Sequence, residues 1–583
     1  MVVSARMQKS ARKRWVISQP SPEAPKLAQS LKVSSLLAQV LINRGLADQN
    51  LCRSFLTPKL TDLIDPMLMP GMASALTRIR RAIAQKEKIT IYGDYDVDGI
   101  TATSILWQCL RLLDAQVDYY IPHRVDEGYG LNSEAIDQIA AADTKLIITV
   151  DCGITAVEPV AKAMQMGMDV VITDHHQYSS NLPNACAIVH PLLESTYANP
   201  SSAGAMVAFK LAWALVNEFK TPSRAEGPLR DFLINATTLA SLGTVADVVE
   251  LMGENRIITS YGLKALPDCP LTGIKALLDC AGLTGQSLDS YHIGFVLAPM
   301  LNAAGRMGHA RLAVELLTSD NQLRSVHIAE YLKAQNKQRQ QHEKEILKHA
   351  CEMVSHAGLD HPDRKSIVLA AENWHIGVIG IVASRLVEKF CRPTILLNSS
   401  TATTHGSARS IPGFDILAGI RSCAEHCVSF GGHKMAAGVA IAKEKLPEFA
   451  AAFEQYAVEN ICDTDTESKL NIDALSGVGH FKNDMVSQLE ILGPFGQGNP
   501  KPIFASKAVK LIASPRRVGA KGEHIQLSIS DSSGAVRCIG FNMGHLEKKL
   551  LEQEFFNIAY QPQLNTYNGS TSVQLVLEDV NFD

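Results

Sequence analysis

Between about residues 86 and 260, short apolar runs alternate with amphipathic stretches of helical length. Lys88-Ile89-Thr90-Ile91-Tyr92, Leu146-Ile147-Ile148-Thr149-Val150 and Val170-Val171-Ile172-Thr173 are continuous β-type runs. A strand that is apolar at nearly every position is buried on both faces, the state of a parallel strand covered by helices. The pattern therefore predicts an α/β domain built on a parallel sheet. A second region of similar texture spans about 360–455, with Ser366-Ile367-Val368-Leu369-Ala370 and Thr394-Ile395-Leu396-Leu397 as its strands. Residues 320–352 lie between the two and follow a helical pattern, polar nearly all round from Lys333 to Lys344. Such a helix usually bridges two bodies through solvent. Beyond about 470 the period falls to two, as in His524-Ile525-Gln526-Leu527-Ser528-Ile529 and Ser572-Val573-Gln574-Leu575-Val576-Leu577. That alternation predicts a small barrel or sandwich, approached through the turn-rich Gly493 to Pro500. The expected organisation is a loose lead-in with short helices over 1–85, an α/β domain over 86–318 and a connecting helix over 319–355. A second α/β domain over 356–460 and a β domain over 465–583 complete it.

Composition narrows the classes. In 583 residues, 46% hydrophobic and 20% charged positions leave ample material for cores and exclude a disordered chain. Lys+Arg 55 against Asp+Glu 59 gives −4, so no global field attracts a polyanion, and any grip on nucleic acid must be local. The 12 cysteines contain no CxxC pair and read as reduced thiols, with Cys423, His426 and Cys427 as packing rather than a zinc site. The basic N-terminus (Arg6, Lys9, Arg12, Lys13, Arg14) lacks the apolar core of a signal peptide, and no apolar stretch is long enough to span a bilayer. The expectation is a cytoplasmic protein without a membrane association.

Acidic and imidazole groups follow the predicted strands. Asp94, Asp96 and Asp98 come within five residues after the first run, Asp151 directly follows the second, and Asp174-His175-His176 follow the third. That edge of an open parallel sheet is where ligands bind. Carboxylates so close together resist ionising unless a cation compensates them. Oxygen ligands favour Mg²⁺ or Mn²⁺, and an imidazole among them tips the choice toward Mn²⁺. Asp247, in Leu242-Gly243-Thr244-Val245-Ala246-Asp247, is a further carboxylate in an apolar setting. Each piece has a plainer counterpart: a DxDxDG run can be a calcium loop, and Asp-His-His can cap a helix. A calcium loop, however, continues to a glutamate, where this chain has Ile100-Thr101-Ala102-Thr103-Ser104. Three motifs in step at successive strand ends are hard to explain as structure alone.

Taken in order, Gly93-Asp94-Tyr95-Asp96-Val97-Asp98-Gly99, Asp151, Asp174-His175-His176 and Gly243-Thr244-Val245-Ala246-Asp247 resemble the motifs of the DHH phosphoesterases. Ile121 to Gly130 and Leu301-Asn302-Ala303-Ala304-Gly305-Arg306-Met307-Gly308 support the likeness, and Ser429-Phe430-Gly431-Gly432-His433 resembles the glycine–histidine signature of the accessory DHHA1 domain. Over nearly its full length the chain resembles the single-strand-specific DNA exonucleases of that family. The resemblance implies two Mn²⁺ or Mg²⁺ ions held by Asp96, Asp98, Asp151, His175 and Asp247. It leaves Asp94 either as a direct ligand or behind one, because this chain has Tyr92 where related members carry a histidine. Asp174 would orient His175, and His176 would face the substrate phosphate or the leaving oxygen.

Arg124, Arg306 and Arg409 each stand among glycine or small residues, where a planar guanidinium can meet phosphate. Arg306 and Arg124 are read as holding the scissile or adjacent phosphate; Arg409, Gly432 and His433 as closing over the terminal nucleotides. Tyr129 reads equally as a stacking group or a core tyrosine. Trp374-His375-Ile376-Gly377 reads as a strand-to-helix turn whose glycines serve phosphate or close packing. The 501–583 segment has nine basic and eight acidic residues, yet Arg516, Arg517 and Lys521 cluster in one loop, as in an OB-type barrel contacting a nucleic-acid backbone. The implied activity is 5′→3′ degradation of single-stranded DNA to 5′-mononucleotides in repair and recombination. A single-strand-binding protein and a RecQ-type helicase would be its functional company, and a monomer suits a threading enzyme. Two other readings stand beside it: a phosphodiesterase for short oligonucleotides or cyclic dinucleotides, and a non-catalytic single-strand-binding scaffold.

Overall fold

The computed structural model describes residues 13–123, 130–178, 180–194, 197–219, 226–306, 309–462, 468–567 and 569–583. They form two compact units, one gathering residues 16–305, 309–331 and 471–583, the other centred on 332–470.

The first unit contains a five-stranded sheet of β1 (Lys88–Gly93), β2 (Gln116–Tyr120), β3 (Leu146–Val150), β4 (Asp169–Thr173) and β5 (Ala187–Val189). Its order is β2-β1-β3-β4-β5, and every pair is parallel. All five residues of β3 are buried, as the continuous apolar run requires. The chain leaves β1 for β2 on one side and returns to β3 on the other. A crevice therefore opens at the carboxyl ends of β1 and β3, where the connections diverge. Helix α1 (Val97–Leu112) starts in that crevice and is buried on most of its circumference. Against it pack α2 (Gly204–Phe219) and α3 (Glu226–Ala246), followed by α4 (Gly253–Ala265) and α5 (Ala298–Arg306).

The same unit holds the C-terminal β domain. β11 (Phe504–Leu511), β12 (His524–Asp531), β13 (Gly534–Gly540), β14 (Phe556–Tyr567) and β15 (Ser570–Asn581) pair as β11-β14-β15-β13-β12. Lys510 and Leu511 of β11 also pair with Ser530 and Ile529 of β12, so the five strands close into a barrel. The barrel core is shared: Leu37, Leu41 and Phe55 from the N-terminal helices join Phe504, Ile525 and Leu575 in one apolar cluster. The stretch read as a lead-in thus supplies part of the barrel's packing.

Arg256, 2% exposed, pins this arrangement. Its guanidinium lies 3.7 Å over the Phe55 ring and donates to the Phe55 carbonyl at 2.7 Å and the Gly493 carbonyl at 2.6 Å. Among the described residues no carboxylate pairs with it. Burial, together with the charge of Arg44, pulls its pKa down to about 9.

The second unit has a mixed sheet, β9-β10-β8-β7-β6, from β6 (Ile367–Ala371), β7 (Thr394–Asn398), β8 (Thr403–Arg409), β9 (Cys427–His433) and β10 (Ala436–Ala442). β6 and β7 are parallel and the remaining pairs antiparallel. Helix α7 (Ile376–Phe390) packs over Ile367 and Leu396 on one face, and Phe414, Phe449 and Phe453 fill the other. One continuous helix of 35 residues, α6 (Gln322–His356), has its first turns in one unit and the rest in the other. Cys423 is buried and the Cys427 thiol donates to its carbonyl, the packing role expected of them. Among the described residues no helix is long and apolar enough to cross a membrane.

Removing the Arg256 fork strands two or more buried carbonyls. Arg256→Met is therefore expected to cost about 3 kcal/mol. The loss should appear in hydrogen exchange as reduced protection of residues 49–56 and 491–500; unchanged protection there would mean that packing alone holds this joint.

Candidate metal centre

Register sets the site. Gly93 of β1 lies beside Val150 of β3, and Val150 beside Thr173 of β4. The residues that follow, Asp94, Asp151 and Asp174, therefore leave the sheet side by side at its carboxyl edge. Asp151 does so with a φ of 61°, a left-handed conformation in which a side chain other than asparagine, aspartate or glycine is uncommon.

Asp96 caps α1, its Oδ1 accepting the N–H groups of Asp98 at 2.9 Å and Gly99 at 3.1 Å. The cap places Asp98 in the first turn, where its carboxylate accepts the N–H groups of Gly204 at 2.5 Å and Ala205 at 2.9 Å. Those amides open α2, so one helix start delivers Asp98 and another receives it. Two glycines permit the crowding: a Cβ on Gly204 would stand 2.6 Å from Asp151 Oδ1, and one on Gly243 would stand 2.5 Å from Asp98 Oδ1. Just past α3, Asp247 brings its Oδ2 to 3.6 Å from His175 Nε2. The same nitrogen lies 3.1 Å from Asp151 Oδ1 and 3.7 Å from Asp98 Oδ2.

Ligand atoms within 4.8 Å of one another fall into three overlapping groups: Asp94, Asp96 and Asp151; Asp98, His175 and Asp247; and Asp151, His175 and His176. Asp151 belongs to two of them. Burial, with the charges of Asp96 and its neighbours, pushes the Asp98 carboxyl up to about 7 against the pull of its two amide donors. Burial and Asp98 raise Asp247 to about 9, and the same causes hold Asp151 well above the carboxylate range. Burial, then the charge of His176, lowers His175 to about 3, which keeps its ring neutral and able to donate a lone pair.

This pattern fits Mn²⁺ or Mg²⁺. The buried Asp151 Oδ1 and His175 Nε2 make no hydrogen bond, although they face each other. Buried polar atoms left so are costly, and a divalent cation among hard oxygens and one imidazole satisfies both. Asp96, Asp98, Asp151, His175 and Asp247, read from the sequence as ligands, do converge, and Asp94 converges with them. Tyr92 does not: it is buried, stacks on Tyr120 at 5.5 Å and donates to the Gly130 carbonyl at 2.9 Å. The Asp94 carboxylate, two residues later, lies within 4.8 Å of ligand atoms of Asp96 and Asp151.

One sequence expectation changes. Asp174 does not orient the His175 ring; its Oδ1 meets His176 Nδ1 at 2.7 Å and the His175 backbone N–H at 2.7 Å. Burial opposes ionisation of Asp174, but its hydrogen bond to His176 and that ring's charge prevail, holding it at about 2. The same bond outweighs burial at His176 and raises it to about 9. Buried His190 secures the loop from behind, its Nε2 lying 2.9 Å from the His176 carbonyl. Nothing in the sequence marked His190.

Arg306 donates to the Gly377 carbonyl at 2.8 Å, and a Cβ on Gly377 would stand 2.9 Å from the Arg306 carbonyl, so close packing uses that glycine. Arg409 and His433 both pair with Ala436, which sets them in one row across β8, β10 and β9, and Gly432 precedes His433 at a φ of 145°. Arg516, Arg517 and Lys521 are exposed on a hairpin of the barrel. Arg124 and Tyr129 fall outside the described residues.

In the sequence Asn302 is one residue of the Leu301 to Gly308 segment, with no role of its own. In the structure its Oδ1 accepts the Val97 N–H at 3.1 Å, and a Cβ on Gly305 would stand 2.4 Å from the Tyr95 carbonyl. Helix α5 is therefore the wall against which the acidic loop rests. Asn302→Ala should leave the fold intact yet lower kcat by about tenfold or more and weaken Mn²⁺ binding, because small misplacements of catalytic groups are expensive. Normal kcat and normal Mn²⁺ titration would assign the loop's geometry to the helix cap alone.

Comparison with known proteins agrees with this architecture. The profile of the DHH family, N-terminal domain, matches residues 88–240, that of the DHHA1 domain 363–459, and that of the RecJ OB domain 472–579. The single-stranded-DNA-specific exonuclease RecJ of Bacillus subtilis (strain 168) is 38% identical over 575 residues, covering 98% of this chain and 71% of that protein. Its counterpart in Dickeya dadantii (strain 3937) is 33% identical, covering 93% and 95%. Among solved structures, RecJ from Thermus thermophilus in complex with Mn²⁺ matches with a TM-score of 0.83 at 29% identity, over 98% of this chain and 80% of that one. The same protein with Mg²⁺ gives 0.78 at 28%, over 98% and 79%. The chain therefore belongs to the RecJ family of single-stranded-DNA-specific exonucleases of the DHH class.

Proposed function

We propose that this chain removes 5′-mononucleotides from the 5′ end of single-stranded DNA, in repair and recombination. The observation that carries the reading is the convergence of Asp94, Asp96, Asp98, Asp151, Asp247 and His175 at one sheet edge. Asp94 and Asp96 would hold one cation and Asp98, His175 and Asp247 another, with Asp151 common to both. When bound, such ions acidify a water and offset the charge that develops at phosphorus.

The protein's own groups do the positioning. The amides of Gly204 and Ala205 fix Asp98, the α1 cap fixes Asp96, and the left-handed turn at Asp151 aims its carboxylate between the others. His176, held through Nδ1 by Asp174 and 41% exposed, is the member of the cluster best placed to meet the scissile phosphate or give a proton to the leaving oxygen. Arg306 and Arg124 would contact phosphates near the cut, while Arg409, Gly432, His433 and Tyr129 would meet the terminal nucleotides. Arg516, Arg517 and Lys521 would track the backbone further along the strand.

A closed barrel with an exposed basic hairpin favours a long substrate over a dinucleotide, which needs no track. A scaffold has no physical reason to maintain buried carboxylates that resist ionisation. Work beside a single-strand-binding protein and a RecQ-type helicase, in the cytoplasm and as a monomer, completes the proposal.

Asparagine tolerates the left-handed backbone of Asp151 while removing its charge. Asp151→Asn should cut kcat by about a thousandfold or more and leave single-strand affinity within about twofold. The assay is a long strand labelled at either end, with Mn²⁺, Mg²⁺ or EDTA, its products resolved over time. Mononucleotides from the 5′ label only, absent with EDTA and with duplex, are expected. Full activity of Asp151→Asn, or loss from the 3′ label, would contradict the reading.

A further inference from the structure

We propose that Tyr291 and Phe295 form a stacking platform for unpaired bases beside the helix that leads to Asp247; the proposal rests on the single-strand reading above. The two residues lie four apart on a short helical turn, Ser290–His292, that runs into a π-helical turn, Ile293–Leu297. Ile293 and Leu297 are fully buried and anchor the turn. Tyr291 and Phe295 point the other way, 57% and 68% exposed, with ring centroids 4.9 Å apart and planes 24° from parallel. Two large rings are thus stacked on each other and held open to solvent, which forgoes the burial that aromatic side chains normally gain.

The turn is tied to both ends of the substrate's expected route. A Cβ on Gly294 would stand 3.8 Å from Val245 Cγ1, and Val245 lies two residues before Asp247. On its other side the Ser290 hydroxyl donates to the Phe495 carbonyl, in the loop that leads into the barrel. The Leu251 N–H bonds the Gln497 carbonyl of that loop at 2.8 Å, so the same segment borders the platform and the connection from α3 to α4. Flat, exposed, pre-stacked rings between a phosphodiester-cleaving centre and a single-strand-binding barrel suit one occupant best. Every base has a π-face, so a stacked base is accepted without regard to sequence. The anchored turn keeps the ordering cost low.

Stacking has a signature that separates it from a phosphate contact: it adds affinity without releasing counterions. The test compares the full chain with the Tyr291→Ala/Phe295→Ala double variant, binding a fluorescein-labelled single strand in EDTA across a range of salt. The expected result is a Kd raised roughly ten- to hundredfold, with an unchanged slope of log Kd against log salt. Tyr291→Phe/Phe295→Tyr, which keeps both rings, should bind as the unaltered chain does. A Kd within about twofold in the double variant would overturn the platform, and so would a change of slope by about one unit or more. Since both side chains are exposed, a normal melting profile is expected of every variant. If the unaltered chain neither bound nor cut single strands, the parent reading would fall and the platform with it; if it did both while the double variant matched it, the platform alone would fall.

Discussion

Carboxylates gathered within a few ångströms in a buried crevice repel one another, and much of the catalytic unit can be understood as what makes that gathering tolerable. The parallel register of β1, β3 and β4 brings Asp94, Asp151 and Asp174 to one level. The start of α1 is capped by one member of the cluster, Asp96, and the start of α2 supplies two amides to another, Asp98. Gly204 and Gly243 stand where any side chain would strike a carboxylate. These devices orient charge without cancelling it, so Asp98, Asp151 and Asp247 all remain hard to ionise. A site arranged in this way is completed by cations, and its geometry is spent on where those cations sit.

Much of this was legible in the sequence because the physics is local. Short continuous apolar runs rich in β-branched residues suit strands buried on both faces, and acidic groups directly after parallel strands emerge at one edge. The period-two tail likewise announced a β domain. What stayed hidden depends on partners distant in the chain. The choice of Asp174 between two adjacent imidazoles is decided by ring direction, which spacing does not encode. Asn302 meets Val97 across 205 positions, and nothing nearby in sequence hints at it. His190 likewise supports the 174–176 loop through one backbone carbonyl. Tyr92 stands where related members carry a histidine, and only the fold shows that it is buried in the core while Asp94 lies beside Asp96 and Asp151.

The N-terminal helices show the same limit on a larger scale. In sequence they read as part of a loose lead-in, yet their apolar faces complete the core of a barrel more than 400 residues away, as the Asn43 to Asp473 bonds illustrate with a separation of 430. Buried Arg256 joins those helices, the catalytic unit's α4 and the loop before the barrel through backbone carbonyls and the Phe55 ring. The barrel is thereby carried as part of the catalytic unit. Tyr291 and Phe295 are exposed along that same junction, which gives a single strand a surface to follow between the two.

We propose that two divalent cations sharing Asp151 complete the acidic crevice. Calorimetric titration of the metal-free protein with Mn²⁺ tests it most directly. Two ions per chain are expected, with a higher melting temperature once both are bound. Saturation at a single ion, or no heat and no change in melting, would contradict it.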